Sequence, residues 1–434
     1  MKKQAWFGEA PVSQVVLILA AVAVAVAGCA SPAPAGSVVK ADTVQSDMPR
    51  LPAPSLDEAP VQELVEGNAA FALDLYRVLF DREENLFYSP YSLSAVLAMT
   101  YAGARGETER QMAEALHYTL TQAQLHPAFN ALDLALASPA EGEQAYRLRI
   151  ANALWGQQGH EFLAPFLDTL AQNYGAGLRV VDFHRADEAL RGINGWVGDQ
   201  TEGKIEELLP PGSVDDQTAL ALTNAVYFQA TWLHPFADAM THNGAFALLD
   251  GRQVTVPLME QVAMLGYSER SGLQAVELPY AESTLAMVIL LPDAGTFEAF
   301  AQGLDAAELH AILGDIQPAD VRLAMPRFRF EAGFELQEGL MELGMVDAFG
   351  AGADFSGMDG TRELFIDEVY HKAFVDVDEA GTEAAAASAV VMKRGRPAAE
   401  HEVQVNRPFL TLIRDTDTGA ILFLGHVVDP SLAQ

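Results

Sequence analysis

Between Val61 and Phe80, apolar residues at Leu64, Phe71, Leu75, Val78 and Leu79 recur close to helical spacing, which predicts an amphipathic helix. Asn85 to Pro90 is a short break. From Tyr91 to Leu116 the pattern is helical again, with Gly103 and Gly106 marking a turn midway. Ala219 to Phe228, Gln274 to Leu291 and Val321 to Phe330 are different: runs of Val, Leu, Ile and aromatic residues bounded by Pro or Gly, the pattern of strands. The first third is thus mostly helical, and helices and strands are only partly segregated along the chain. There is no fixed-period repeat and no linker after residue 61, so one large α+β domain is expected rather than two in tandem. With 434 residues, half of them apolar, the chain can bury a large core.

The first sixty residues follow other rules. Lys2 and Lys3 precede an apolar run from Val15 to Ala27 that is too short for a comfortable membrane span and is expected to be an export signal. The run ends in Val26, Ala27, Gly28 and Cys29, which resembles a bacterial lipobox, where the cysteine is acylated and becomes the first mature residue. Cys29 is the only cysteine, so no intramolecular disulfide can support the fold. The expected organisation is a signal peptide at 1–28, a Pro/Ala-rich tether at 29–60 leading from acylated Cys29, and a domain at 61–434. Six prolines between Ser31 and Pro60 preclude a continuous helix or central strand in the tether. The domain is then expected outside the cytoplasm, lipid-anchored to the cell envelope. Ala30 after the cysteine, by resemblance to Gram-negative lipoproteins, favours the outer membrane.

Charge and motifs narrow the function by exclusion. A formal net charge of -33, from 59 acidic and 26 basic residues, repels phosphate backbones, so nucleic acid is not expected as a partner. The ten histidines form no HExxH pair or His/Cys cluster, so no metal is expected. Gly198 to Lys204 fits most of a phosphate-binding loop, but Ile205 stands where Ser or Thr must reach magnesium, and a helix-like stretch precedes it. No GxSxG nucleophile turn is present. The chain is accordingly read as no enzyme, with no cofactor.

One stretch stands apart. From Glu379 to Pro397, a half made of small residues (Gly381, Thr382, Glu383, Ala384, Ala385, Ala386, Ala387, Ser388) is followed by a basic half carrying Lys393, Arg394, Gly395 and Arg396. The second half suits an exposed, cleavable loop. Composition alone favours an alanine-rich helix or linker, since Ala is the best helix former.

Resemblance decides between these readings. Glu379 to Ser388 resembles the hinge of inhibitory serpins, a family of serine protease inhibitors, and the likeness covers about 370 residues from Val61 onward. Asn85 to Ser92 (NLFYSPYS) resembles the family's N-terminal signature, followed by Gly103, Ala104, Gly106, Glu107 and Thr108. Asn224 to Phe228, Trp232 and Phe236 are similar to its central strand and the turn after it. Met325 to Phe328, Leu343 to Met345, His371 to Phe374, Asn406 to Phe409 and Phe423 to Gly425 recur in order.

The resemblance implies helices packed around three β-sheets, with a reactive loop at about 379–405 held out of a five-stranded sheet in a metastable native state. A protease cleaves the loop and is held as an acyl-enzyme while the hinge inserts as a new central strand. It also implies that Ser89, Ser92, Asn224 and His371 form a polar cluster beneath the sheet, and that Trp232, Arg327 and Glu379 lie where insertion begins. In a strand entering a closed sheet, Thr382, Ala384, Ala386 and Ser388 share the core-facing side, and none is bulky or charged. Glu383 takes the other parity, where its charge stays hydrated. Counting at the family's usual spacing puts the scissile bond after Gly395, but Arg394 is preferred because a basic residue suits trypsin-like enzymes; Pro397 disfavours Arg396. The expected partner is a trypsin-like serine protease met by a monomer. The alternatives are an elastase- or subtilisin-like target, a non-inhibitory serpin acting as a binding protein, or a structural surface lipoprotein.

Overall fold

The computed structural model describes residues 42–52, 58–137, 146–382 and 399–432. A three-residue strand, β1 (Asp42–Val44), precedes the long helix α1 (Glu58–Leu79), β2 (Leu86–Tyr88), and three helices, α2 (Pro90–Tyr101), α3 (Gly106–Ala115) and α4 (Gln122–Ala137). Strand β3 (Tyr146–Gln157), helix α5 (Ala164–Tyr174), strand β4 (Leu178–Val181) and helix α6 (Ala186–Gln200) follow. Five strands come next: β5 (Leu220–Thr231), β6 (His242–Ala247), β7 (Gln253–Arg270), β8 (Leu273–Pro279) and β9 (Leu285–Pro292). Two helices, α7 (Phe297–Gly303) and α8 (Ala306–Gly314), separate these from β10 (Gln317–Pro326) and β11 (Phe328–Glu335). Short helices α9 (Gln337–Glu342) and α10 (Ser356–Asp359) lead to β12 (Glu368–Val377), β13 (Gly381–Thr382), β14 (His401–Gln404), β15 (Phe409–Asp415) and β16 (Ile421–Val427).

The strands form two hydrogen-bonded networks. One has seven strands in the order β1-β4-β3-β5-β13-β12-β11; the other has nine, β14-β10-β7-β8-β9-β15-β16-β2 with β6 on β7. The three sheets expected appear as two because the 18-residue β7 runs unbroken from its pairing with β6 and β10 to its pairing with β8.

The seven-stranded sheet is covered on both faces, so β5 is almost wholly buried along its length. Its even-numbered residues Leu222, Val226 and Phe228 belong to the main core. Ala221 and Ala225 pack on the other side with Ile193 and Val197 of α6. Helix α2 begins cleanly because Ser89 caps it, its side chain accepting from the Ser92 amide, and Pro90 opens its first turn. All twelve of its residues are buried, which fixes it as the central helix.

Part of the span expected to be a tether is docked on this body. Strand β1 pairs antiparallel with β4 at the sheet edge. The strap after it is tied down by the Ser46 hydroxyl on Asp168, by the Leu51 amide on Gln172 O (2.9 Å), and by Arg50 on Asn130 and Asp133 (2.8 and 2.6 Å). No described helix is long and apolar enough to cross a membrane.

Candidate functional site

The seven-stranded sheet changes character along its middle. Over Ala221 to Tyr227, β5 pairs directly and in parallel with Glu368 to Phe374 of β12. Above that, β13 wedges between them, antiparallel to both: Gly381 lies opposite Thr231, and Thr382 lies opposite Ala230 on one side and Val377 on the other. Two polar clusters flank this seam.

The lower cluster sits beneath the closed part. His371 and Asn224 face each other across the parallel pair, and the ring Nδ1 is bonded to the Asn224 side-chain oxygen. Nε2 of His371 accepts from the Ser89 amide at 3.2 Å, which fixes the neutral tautomer with its proton on Nδ1. Burial pushes this histidine down to about 3, so it stays uncharged at any working pH. The Asn224 amide donates to the Ser92 hydroxyl and to Asn152, and Ser92 donates to Asn152 at 3.0 Å. The Ser89 hydroxyl donates to Leu422 O at 2.7 Å. Four elements, α2, β3, β5 and β12, are thereby stitched together at one buried, mutually satisfied point.

The upper cluster anchors the entry to β13. Glu379 is 5% exposed and receives Nε and Nη2 of Arg327 together with the Thr241 hydroxyl. Burial alone would raise its carboxyl, but the hydrogen bonds from Arg327 and Thr241 outweigh it and hold the group below the usual range. Trp232 donates from its indole to Asp378 O at 3.0 Å and stacks on Tyr280 with ring centres 4.7 Å apart. The Tyr280 hydroxyl meets that of Thr382 at 2.7 Å. A β-carbon on Gly381 would lie 2.0 Å from Ala230 O, so only glycine allows this approach. Replacing Arg327 by Ala should strand the Glu379 carboxylate. We expect a loss of about 2 kcal/mol, less than for a fully buried pair because Arg327 is partly exposed, read as a lowered unfolding midpoint at pH 7. The depressed carboxyl also means that wild-type stability from this pair is present above about pH 4.5 and lost as pH falls through the lowered value.

The structure therefore brings Ser89, Ser92, Asn224 and His371 together, and Trp232, Arg327, Glu379, Gly381 and Thr382 likewise. Glu383 to Ser388, Arg394, Gly395, Arg396 and Cys29 lie outside the described residues. Sequence reasoning missed Asn152 and Tyr280. Asn152 had a signal: an amide flanked by two alanines inside a strand, where Asn is disfavoured, points to a polar role.

Comparison with known proteins places this geometry. A family model described as serpin (serine protease inhibitor) matches residues 66–430. The chain belongs to the serpin family. Among its relatives, the leukocyte elastase inhibitor of Sus scrofa is 40% identical over 384 residues, covering 85% of this chain and all of that one. An uncharacterised serpin-like protein of Thermococcus kodakarensis is 39% identical over 389 residues, 89% of this chain and 90% of its own. Among solved structures, native tengpin, a thermophilic serpin, superposes with a TM-score of 0.81 at 28% identity, covering 90% of this chain and all of its own. Uncleaved ovalbumin does so with 0.76 at 27%, covering 85% and 100%. The family corrects one reading of the sequence: a description by absence, as no enzyme, gives way to a positive one, a serine protease inhibitor family.

A third feature of this serpin lies at the far end of the seam. Glu368 opens β12, where Glu335, Asp367 and Asp215 line the same cleft and, among the described residues, no basic residue does. Burial first, then repulsion from Glu335, Asp367 and Glu338, raises its carboxyl to about 7. Because the folded value is raised, the native state holds this proton more tightly than the unfolded chain. Its contribution is full below about pH 4.5 and is lost as pH rises through 7. Glu368→Gln should flatten the fall in unfolding midpoint between pH 5 and pH 8; an unchanged slope would assign that fall elsewhere.

Proposed function

We propose that this serpin inhibits trypsin-like serine proteases as a suicide substrate, its cleaved loop inserting between β5 and β12 while the protease is held as an acyl-enzyme. The observation that carries the reading is the register of β13. Continued downward from Thr382 opposite Ala230, it pairs Ala384 with Phe228, Ala386 with Val226 and Ser388 with Asn224. Continued from Thr382 opposite Val377, it pairs Ser388 with His371. Every residue on that face is small, and the one that reaches the buried polar cluster carries a hydroxyl able to replace the Asn224–His371 bond it would break. Glu383 would sit opposite half-buried Gln229, on the face away from α2. Insertion also exchanges one parallel ladder for two antiparallel ones, a gain in both number and quality of hydrogen bonds.

For the cleaved bond, Arg394 matches the acidic specificity pocket of trypsin-like enzymes. Mass spectrometry of the peptide released after reaction with trypsin is expected to show Gly395 at its N-terminus, and Arg394→Ala to slow inhibition of trypsin by roughly tenfold or more. A parallel reaction in which an elastase is trapped faster than trypsin and a peptide starting at Arg396 is released would instead favour cleavage after Gly395 and an elastase-like target. The relative named as a leukocyte elastase inhibitor supports that second reading, as does counting thirteen positions from Thr382.

We further propose that the protein sits on the cell envelope, exported by residues 1–28 and acylated at Cys29. Intact mass of the exported protein, with acyl chains on Cys29 and none in Cys29→Ser, checks the anchor.

A further inference from the structure

Two hinge residues, Gly381 and Thr382, already lie between β5 and β12 in the uncleaved chain. Asp378 closes the turn into them, accepting from the amides of Ala380 and Gly381 at 2.8 and 3.1 Å. Those bonds are local to the turn and would travel with it if the strand left the sheet. Gly381 has no side chain, so any side-chain hold on the strand falls to Thr382, which is 1% exposed. Its hydroxyl meets that of Tyr280 at 2.7 Å, and among the described residues neither hydroxyl has another partner.

Tyr280 is a rigid anchor for that bond. Its ring is stacked on Trp232 and edge-on to Phe228, its backbone bridges to Trp232, and its amide donates to Leu285 O at 3.0 Å. Burial pushes the phenol well above its usual range, so its proton stays on at any working pH. Withdrawal of β13 would leave this hydroxyl unpaired in a buried, largely aromatic setting, which opposes withdrawal. Lengthening β13 downward keeps Thr382 opposite Ala230 and Val377, so insertion in that register retains the bond. The hydroxyl pair thus acts in one direction only, and the ordering cost of the first two strand residues is met before any cleavage.

We propose that Tyr280 is a positioning residue for trapping: its hydroxyl keeps Gly381 and Thr382 seated between β5 and β12, so that insertion starts from a formed nucleus and a larger share of the cleaved inhibitor holds its protease. The link to trapping rests on the suicide-substrate reading; the seating does not. The test therefore has two readouts on the full chain. Hydrogen exchange of the peptides carrying Trp232, whose amide donates to Ala380 O at 3.0 Å, and residues 380–382 reports the seat without protease. The number of inhibitor molecules consumed per trypsin trapped reports the partition. In Tyr280→Phe the exchange is expected to quicken by about tenfold and the consumption to rise by about threefold. Thr382→Val, which orphans the other hydroxyl, should act in the same direction. Combining the two leaves an apolar pair with no orphan and should return both readouts to within about twofold of wild type, a rescue that a merely structural loss at Tyr280 would not show. Wild-type exchange in Tyr280→Phe, a double variant no better than the single ones, or faster exchange with unchanged consumption would overturn the proposal. A wild-type chain that forms no complex with trypsin would count against the suicide-substrate reading instead, and the exchange of the three variants then decides the seating by itself.

Discussion

Replacing Ala384 by Glu is expected to leave the loop cleavable by trypsin and to abolish the covalent complex. The continued register sets residue 384 opposite Phe228, which is 1% exposed and packs against Tyr280 and Phe423 with ring centres 5.2 and 5.7 Å away. A carboxylate entering that site incurs several kcal/mol of desolvation with no basic partner among those rings. In the proposed mechanism insertion must outrun hydrolysis of the acyl-enzyme, so a barrier raised by even part of that cost would divert nearly all of the inhibitor into cleaved product. The complex band on a denaturing gel should fall by at least about tenfold, with cleavage retained. Glu383→Ala, one residue earlier and on the opposite face, should leave trapping close to wild type. Equal trapping by both variants would show that the inserting strand does not follow the register of β13.

The second large effect is expected at Asn224. It is fully buried and bonded at once to His371, Ser92 and Asn152. Asn224→Ala leaves the Nδ1–H of His371 without an acceptor and opens a void between β5 and α2, together worth about 2–4 kcal/mol against the native state. In the proposed inserted state that bond would already be broken, since the continued register of β13 would set Ser388 between the two residues, so the mutation would cost that state less. The native form should therefore lose inhibitory activity faster on incubation without protease. If the native fold is metastable, as the proposed mechanism requires, the proper readout is a rate, and we expect the half-life at elevated temperature to shorten by at least roughly tenfold. A half-life equal to wild type would mean that the lower cluster does not govern opening.

Much of the fold was legible in the chain because its signals are local. The helix expected from Val61 to Phe80 is α1, and the turn expected at Gly103 and Gly106 separates α2 from α3. The strand expected at Ala219 to Phe228 is β5, three residues longer at its end. Gln274 to Leu291 was one apolar run but is the hairpin of β8 and β9, since Ala281 to Thr284, a polar interruption, carries the turn. Val321 to Phe330 likewise divides into β10 and β11 at Pro326 and Arg327, a break that periodicity alone does not reveal. What sequence patterns could not give was spatial. Asp42 to Val44 is a strand only because the edge of β4 accepts it, and its composition is that of a tether. The polar clusters became candidates through family likeness, since no pattern within a single chain links Ser89 to His371. Asn152 escaped because its meaning depends on lying opposite Asn224 in the sheet.

The central claim is that the loop traps a protease by entering the sheet, and the most direct measurement is a denaturing gel of the chain after incubation with trypsin. A band at the summed mass of inhibitor and protease that resists boiling in detergent is expected. Complete cleavage of the loop by trypsin, and by an elastase tested alongside, with no such band from either, would contradict it.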